Sequence, residues 1–233
     1  MSTAPTISAP TACWACSAAL TSSALLCPNC GKVLPVSAAD YFQVFGLERG
    51  LTLDVAELER EFHRLSRRLH PDRFARASAD EQQWSLANTA LLNDAYRTLR
   101  DPIQRTEYLL RLEGLKIGEE HAGKGKSADR QPPADLLEEV FELNMQLEEM
   151  RMNQKMGEND PALQADLTTA RTRFEGLLDA VDTDLAARGA EWDAGDSEVR
   201  HKAANAMASL LDRRRYLRNL VRDVNAVLSN PTA

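Results

Sequence analysis

The sequence has few aromatic, glycine and proline residues and no long apolar run. Only 6% of the 233 residues are aromatic, and the chain has 11 glycines and 10 prolines. These counts exclude a collagen-like or low-complexity chain. No stretch approaches the roughly 20 apolar residues that a membrane span needs. A hydrophobic content of 43% is enough for a packed core, which excludes global disorder.

Acidic residues outnumber basic residues in this sequence. The formal net charge is −7 and the isoelectric point is about 5.2, so the surface as a whole is unsuited to coating nucleic acid or anionic lipid. The sequence also has no pair of carboxylates in a context that suits acid–base catalysis, and no glycine-rich loop that would bind a phosphate. We therefore expect no nucleic-acid partner, no membrane association and no catalytic site.

The N-terminal residues lack targeting signals. No basic segment is followed by an apolar one, and no arginine precedes the first cysteine. Residues 1–10 are predicted to be a flexible tail. No cysteine follows Cys30, so no disulfide framework supports the fold. A cytoplasmic, bacterial-type location is expected by default, and the mitochondrial matrix is less favoured.

The four cysteines are the first specific signal. They form two Cys-x2-Cys pairs separated by ten residues, and Gly31 follows the second pair. Two thiolates two residues apart can chelate one ion, and four in a tetrahedron suit zinc. Because the protein fills all four positions, the site is expected to be structural. Two disulfides or an iron site are the alternatives. The predicted zinc ligands are Cys13, Cys16, Cys27 and Cys30.

The rest of the chain is predicted to be helical. No strand-like alternation persists, so the fold class is all-α: a helical hairpin and a C-terminal three-helix bundle, preceded by a small zinc-knuckle module. Asp54 and Asp80 are candidate N-caps, and Pro102 suits a helix start. Predicted helices cover about 40–47, 54–69, 80–99 and 102–112. The predicted segments are 11–37 for the zinc module, 38–115 for the hairpin, 116–133 for a linker and 134–233 for the bundle.

The bundle prediction depends on three apolar seams with 4-3 spacing. Turn signals at 157–161 and 189–195 separate them. The seam residues are Leu136, Val140, Leu143, Leu147 and Met150; Leu163, Leu167, Ala170, Phe174, Leu177, Val181 and Leu185; and Leu210, Leu217, Val221, Val224 and Leu228.

A basic helix ends in the tripeptide His70-Pro71-Asp72. Proline disfavours the helical conformation of the residue before it, so the helix stops at His70. Phe62, Leu65 and Leu69 form one apolar face of this helix. The next helix can pack against it and leave the turn at the tip of a hairpin. Its predicted packing residues are Leu86, Ala90, Leu91, Ala95 and Leu99.

This combination resembles a J-domain. A short aromatic helix, a basic helix, His-Pro-Asp and a helix bearing Leu92-Asn93-Asp94-Ala95-Tyr96 follow one another in the family's order. Many J-domains carry tyrosine before the tripeptide, where this chain has Leu69. The resemblance implies binding to a DnaK-type ATPase chaperone and stimulation of its ATP hydrolysis. The residues implied in chaperone binding are His70, Pro71, Asp72, Arg64, Arg67, Arg68 and Arg73.

A second apolar stripe lies on the first bundle helix, outside the seam. It consists of Leu137, Phe141 and Met145, and glutamates flank it. An apolar stripe rimmed by acid is typical of a protein-binding surface, although packing against a neighbouring domain is the alternative. Tyr216 on the last helix lies off its own seam and is expected to add to this surface.

A J-domain followed by an acidic bundle resembles the HscB-type co-chaperones of iron–sulfur cluster assembly. The segment Leu136-Leu137-Glu138-Glu139-Val140-Phe141 is similar to that family's scaffold-binding helix, and the tetracysteine segment resembles the extension of eukaryotic members. The linker is longer here. The resemblance implies delivery of an IscU-type scaffold protein to the chaperone. A monomer is expected, because no feature of the sequence demands a higher oligomer. The alternatives are a J-domain co-chaperone for another client and, less favoured, a zinc-knuckle protein that binds nucleic acid. The implied scaffold-binding residues are Leu137, Phe141, Glu142, Met145 and Tyr216.

Overall fold

A computed structural model describes residues 12–20, 24–37, 40–115, 117 and 133–229. The predicted tail 1–10 and nearly all of the predicted linker 116–133 lie outside these residues. The chain folds as two compact units, Met1–Leu109 and Leu110–Ala233. None of the described helices combines the length and the apolarity that crossing a membrane requires.

The first unit begins with a small module that contains the four cysteines. Two isolated antiparallel bridges, Ala12 with Ala19 and Leu26 with Val33, close its two loops. One buried cluster consists of Cys13, Cys27 and Leu34, and the module's other buried apolar residues are Leu25, Leu26 and Val33. So few apolar side chains cannot offset the conformational entropy of ordering the module, so its fold needs a further source of stability.

Two tyrosine rings join the first and last helices of this unit. Helix α1 (Tyr41–Val44) is a single turn, and its Tyr41 ring stacks on Tyr108 with 4.4 Å between the centroids. The Tyr41 N–H also donates a hydrogen bond of 2.9 Å to the Tyr108 hydroxyl.

The predicted role of Pro102 as a helix start is confirmed. Its fixed φ and missing N–H suit the first turn, and the helix it starts (Pro102–Leu112) is numbered α4 below.

Helices α2 (Val55–Leu69) and α3 (Ala79–Arg100) form the predicted hairpin. Asp54 is the N-cap of α2, as predicted. Its carboxylate accepts hydrogen bonds from the N–H groups of Ala56 and Glu57 at 2.9 and 3.0 Å, which satisfies two of the amides that a helix start leaves without partners.

The predicted apolar face of α2 is confirmed. Leu65 and Leu69 are buried. Phe62 is half-buried and stacks on Tyr96 of α3, with 4.1 Å between the ring centroids and 12° between the planes. This aromatic contact and the two leucines join α2 to α3 along one side.

The prediction of Asp80 as the N-cap of α3 is wrong. The cap is Ser78, which forms a capping box with Glu81: the Ser78 hydroxyl accepts from the Glu81 N–H, and the Glu81 carboxylate accepts from the Ser78 N–H. A serine followed three residues later by glutamate satisfies two backbone donors at once. Asp80 lies in the first turn, where its negative charge interacts favourably with the positive end of the helix dipole.

The predicted packing face of α3 is also partly wrong, because Leu86 is 64% exposed, Ala90 is exposed and Leu91 is only half-buried. The buried face begins with polar residues, which a search for apolar periodicity does not detect. Only its second half is apolar. The buried residues are Glu81, Ser85, Asn88, Leu92, Ala95 and Leu99.

The second unit is the predicted three-helix bundle. Its helices are α5 (Leu137–Met156), α6 (Pro161–Ala194) and α7 (Ser197–Leu228), and each pair is in contact. A 3-10 turn (Ala134–Leu136) precedes α5. The predicted α5 seam is buried throughout. The predicted α6 seam is buried except for Ala170 and Leu177, which are half-buried.

The two predicted turn signals have different outcomes. Gly157 ends α5 in the left-handed conformation with φ 72°, as glycine allows. Gly189, in contrast, lies inside α6, and the turn begins only at Gly195. Gly189 and Trp192 are buried and continue the 4-3 spacing from Leu185, so tertiary packing outweighs the cost of about 1 kcal/mol for glycine in a helix.

The predicted seam of α7 is correct only in part. Leu217 and Val224 are buried, whereas Leu210, Val221 and Leu228 are half-buried. The apolar arc of this helix is wider than the face that packs, so spacing alone does not decide which residues lie at its centre. The buried residues are Ala203, Ala204, Met207, Leu211, Tyr216, Leu217, Leu220, Val224 and Val227.

Candidate functional site

The two cysteine pairs adopt the same local backbone geometry. In the first pair the Ser17 N–H donates to the Cys13 carbonyl at 2.9 Å, and in the second the Gly31 N–H donates to the Cys27 carbonyl at 2.9 Å. Both donor residues are left-handed, with φ 57° for Ser17 and 72° for Gly31. Glycine adopts this conformation without a steric penalty, and Ser17 occupies the equivalent position despite the steric cost of its Cβ.

The four sulfurs lie close enough to share one ion. All are within 4.8 Å of one another. The Sγ atoms of Cys13 and Cys30 are 3.7 Å apart, and those of Cys16 and Cys27 are 3.6 Å apart. Tetrahedral ligands at about 2.3 Å from a zinc ion would be separated by about 3.8 Å. A disulfide requires about 2.05 Å, and all four thiols are free. The cluster therefore fits a structural metal site.

The ionisation of these thiols also favours a cation. Hydrogen bonds from the Ala18 backbone and the Asn29 side chain lower the pKa of Cys16 to about 6. The Lys32 backbone favours the thiolate of Cys30, but desolvation and the other cysteines raise its pKa to about 12. The Cys16 thiol therefore loses its proton readily. The Cys30 thiol needs a positive charge at the centre of the cluster to do so.

The His-Pro-Asp turn is exposed between α2 and α3, as predicted. Pro71 starts a 3-10 helix (Pro71–Phe74), and the His70 Nδ1 accepts a hydrogen bond from the Asp72 N–H at 3.3 Å. The side chains of His70 and Asp72 are both open to solvent. The His70 Nδ1 also lies 3.6 Å from a carboxylate oxygen of Asp72. The turn therefore leaves both of these polar side chains accessible.

The implied chaperone-binding arginines lie on α2 and just beyond the turn. Arg67 and Arg68 are exposed in the last turn of α2, and Arg73 is exposed in the 3-10 helix. Arg64 is placed differently, because its guanidinium holds Glu61 through two hydrogen bonds of 2.7 and 2.5 Å. This pairing lowers the pKa of Glu61 and leaves Arg64 with less uncompensated charge.

The second apolar stripe on α5 is exposed. Leu137, Phe141 and Met145 are 56, 68 and 60% exposed, and Glu142 beside them is exposed too. None of the three contributes to the bundle core, which takes the opposite side of the helix. The prediction of a stripe outside the seam is confirmed.

Tyr216 does not join this exposed stripe. It is only 5% exposed, and its burial raises the pKa of its hydroxyl. The expectation that it lies off the seam of α7 is wrong, because the packing face of that helix includes residues 216 and 217 together. Two arginines near Tyr216 form ion pairs: Arg213 with Asp135, and Arg214 with Asp182.

Comparison with known proteins agrees with this geometry. A family model of the DnaJ domain matches residues 40–108. Over 157 residues the chain is 32% identical to the iron–sulfur cluster co-chaperone protein HscB of Mus musculus, which covers 66% of this chain and 64% of that protein. It is 33% identical over 140 residues to human HscB, covering 60% and 57%.

The solved structures show the same relationship. The chaperone HscB from Vibrio cholerae matches with a TM-score of 0.55 and 26% identity, covering 81% of this chain and 97% of that one. Residues 40–108 therefore form a DnaJ domain, or J-domain, and the chain is homologous to HscB over 66% of its length. Human co-chaperone HscB shares the fold with a TM-score of 0.64 at 23% identity, covering 92% and 97%. In sequence, the matches span less than two thirds of the mammalian relatives' length.

The cysteine module is docked on the J-domain through the polar half of α3. The Lys32 ammonium lies 2.8 Å from a carboxylate oxygen of Glu81. The Asn88 side chain donates a buried hydrogen bond of 2.8 Å to the Leu34 carbonyl. No apolar pattern in the sequence predicts this contact. The only signal was three polar residues, 81, 85 and 88, at helical spacing on a face that should be apolar.

Two further rings complete the docking. Trp14 of the module meets Trp84 of α3 edge to face, with 5.9 Å between the centroids. Its indole N–H donates to the Val33 carbonyl at 2.9 Å, and Lys32 lies 5.5 Å from its ring centroid. The module and the J-domain therefore share hydrogen bonds, an ion pair and an aromatic contact.

Two hydroxyl groups of α3 bind the backbone immediately before the His-Pro-Asp turn. The Leu69 carbonyl, the last of α2, accepts hydrogen bonds from the Ser85 hydroxyl at 2.6 Å and the Thr89 hydroxyl at 3.2 Å. The end of a helix leaves such carbonyls without partners. These two hydroxyls fix the backbone immediately before His70, and sequence analysis did not assign them a role.

Proposed function

We propose that this chain is a co-chaperone that binds an IscU-type iron–sulfur scaffold protein through α5, presents it to a DnaK-type chaperone and stimulates the chaperone's ATPase through His70-Pro71-Asp72. The observation that carries the proposal is that a homologue of HscB exposes two candidate binding surfaces on separate units. One is the turn of the J-domain, and the other is the stripe of α5.

The J-domain would contact the chaperone through the turn and the basic residues beside it. Arg67, Arg68 and Arg73 are exposed and favour an acidic groove, which steers the encounter of the two proteins. Asp72 carries an exposed carboxylate for a basic partner. Hydrolysis takes place on the chaperone, so the J-domain contributes recognition and no catalytic group.

The bundle would bind the scaffold through Leu137, Phe141 and Met145, with Glu142 at the rim. Exposed aromatic and aliphatic side chains of this kind become the energetic centre of an interface when a partner covers them. One chain that carries both contacts raises the effective concentration of scaffold at the chaperone, so two weak contacts suffice.

We infer that the ion of the tetracysteine cluster is zinc. Four thiolates in a tetrahedron are its usual structural ligand set, and the spacing of the sulfurs matches. All four positions come from the protein, so the ion would stabilise the module and take no part in a reaction. Cys13, Cys16, Cys27 and Cys30 would hold it.

The proposal is tested by steady-state ATP hydrolysis of a DnaK-type chaperone, with and without the scaffold. Wild-type protein should stimulate hydrolysis, and more strongly with scaffold. His70→Gln should abolish stimulation without unfolding the J-domain. His201→Gln, the same change at an exposed residue of α7, is the matched control and should behave as wild type.

The scaffold arm of the test uses Phe141→Ala. This variant should keep the basal stimulation and lose the additional stimulation by scaffold. Stimulation that ignores the scaffold in wild type would indicate a J-domain protein with another client. Retained stimulation by His70→Gln would overturn the role of the turn.

A further inference from the structure

Exposed apolar side chains are concentrated on one helix. Nine large apolar side chains are strongly exposed among the residues that the structure describes, and five of them lie on α5. Helix α6 has none of the nine, although it is longer, and α7 has only Val199. The five are Leu137, Phe141, Met145, Met152 and Met156.

The five side chains form one continuous line. At 100° per residue they fall within an arc of about 100°, on the side of α5 opposite the buried seam. At 1.5 Å per residue the line is about 28 Å long from Leu137 to Met156. Met152 and Met156, 53 and 64% exposed, extend the stripe beyond Met145 by about 16 Å. We call the five residues the α5 stripe.

The charges beside the α5 stripe are mostly negative. The helix carries five glutamates against one arginine and one lysine. Glu138, Glu142 and Glu149 follow one edge of the stripe and are exposed. The arginine, Arg151, is engaged by Glu148 at 2.6 Å. A partner surface that meets the stripe would therefore be apolar along its centre and basic along the edge that faces these three glutamates, whereas the opposite edge carries the exposed Lys155.

We propose that the scaffold-binding surface runs the full length of α5, that Met152 and Met156 form its second half, and that the scaffold presents an apolar surface bordered along one edge by lysine and arginine. This rests on the proposed function. Leu137 and Phe141 supply the stiffer anchors. The three methionines are unbranched and polarizable, so they adapt to an irregular partner surface.

The methionine methyl groups provide the test. Three of the chain's six methionines lie in the stripe, whereas Met150 on the same helix and Met207 on α7 are buried. In the full chain with 13C-labelled methionine methyls, addition of scaffold should shift the signals of Met145, Met152 and Met156. Met150 and Met207 serve as internal controls and should move little. A shift confined to Met145 would overturn the extension.

A double variant separates this inference from the proposed function. Met152→Gln with Met156→Gln keeps helix propensity and removes apolar area, so the Kd for scaffold should rise about 3- to 10-fold. Leu86→Gln on α3 is the control and should leave the Kd unchanged. If Phe141→Ala weakens binding and the double variant does not, the extension is wrong and the proposed function stands. If wild type does not bind scaffold, both are wrong.

Discussion

The ion pair between Lys32 and Glu81 should make the stability of the J-domain depend on the metal. The Glu81 side chain is 8% exposed and that of Lys32 is 48% exposed. Glu81 also accepts hydrogen bonds from Ser78 at the start of α3. The perturbation is a double-mutant cycle with Lys32→Met and Glu81→Gln. The cycle removes the pair and cancels other effects of each change, such as the lost contact of Lys32 with Trp14.

The expected coupling follows from the exposure of the two partners. A hydrogen bond to a charged group contributes about 1.5–3 kcal/mol when it is well buried. Solvent screens the half-exposed ammonium of Lys32, so about 1 kcal/mol is expected for this pair. Lys32 lies two residues after the candidate metal ligand Cys30, so its position should depend on the metal. After chelation the coupling should fall to near zero.

The assay is hydrogen exchange of the α3 amides, which reports the free energy of opening of the J-domain without a contribution from the bundle. Arg49 and Asp40 form the matched control pair. Their N–O distance is 2.9 Å, their side chains are 44 and 6% exposed, and Asp40 also caps a helix. With Arg49→Met and Asp40→Asn the coupling should survive chelation. An unchanged Lys32–Glu81 coupling after chelation would refute the reasoning.

Two further predictions concern the start of α3. Ser78→Ala should lower the stability of the J-domain by about 1 kcal/mol because the capping box is lost; Ser78→Asp should retain most of it, and equal exchange protection of the α3 amides in all three proteins would contradict this role. Hydrogen bonds from Lys32 and Ser78 hold the pKa of Glu81 below its ordinary value of 4.5. Its contribution is therefore complete above pH 4.5 and is lost as the pH falls through the lower folded-state pKa. The stability difference between wild type and Glu81→Gln, followed by urea unfolding, should shrink over that range, and a difference independent of pH would argue against the ion pair.

Local patterns predicted much of the molecule. The spacing of the cysteines, the His-Pro-Asp turn and the exposed line from Leu137 to Met145 each depend on residues close together in the sequence. Helix periodicity and the cap at Asp54 are local as well, so the helix order follows from the sequence. The geometry at these places is decided within one or two helical turns.

The errors arise where distant segments decide the outcome. Leu86 belongs to an apolar pattern yet is exposed, while Ser85 and Asn88 beside it are buried because they have partners in α2 and the cysteine module. Tyr216 is buried because packing in the bundle selects which side of a broad apolar arc faces inward. Periodicity identifies apolar residues, and it cannot detect a polar face that is satisfied by backbone carbonyls elsewhere.

The hydroxyls that hold the Leu69 carbonyl have a consequence for how the turn meets a partner. A loop that is ordered only on binding reduces affinity by the entropy lost in that step, about 0.5–1.5 kcal/mol for each side chain immobilised. Here Ser85 and Thr89 fix the backbone before His70 when the J-domain folds. The tripeptide is therefore pre-organised, and a short, exposed surface can engage a partner briefly and still be specific.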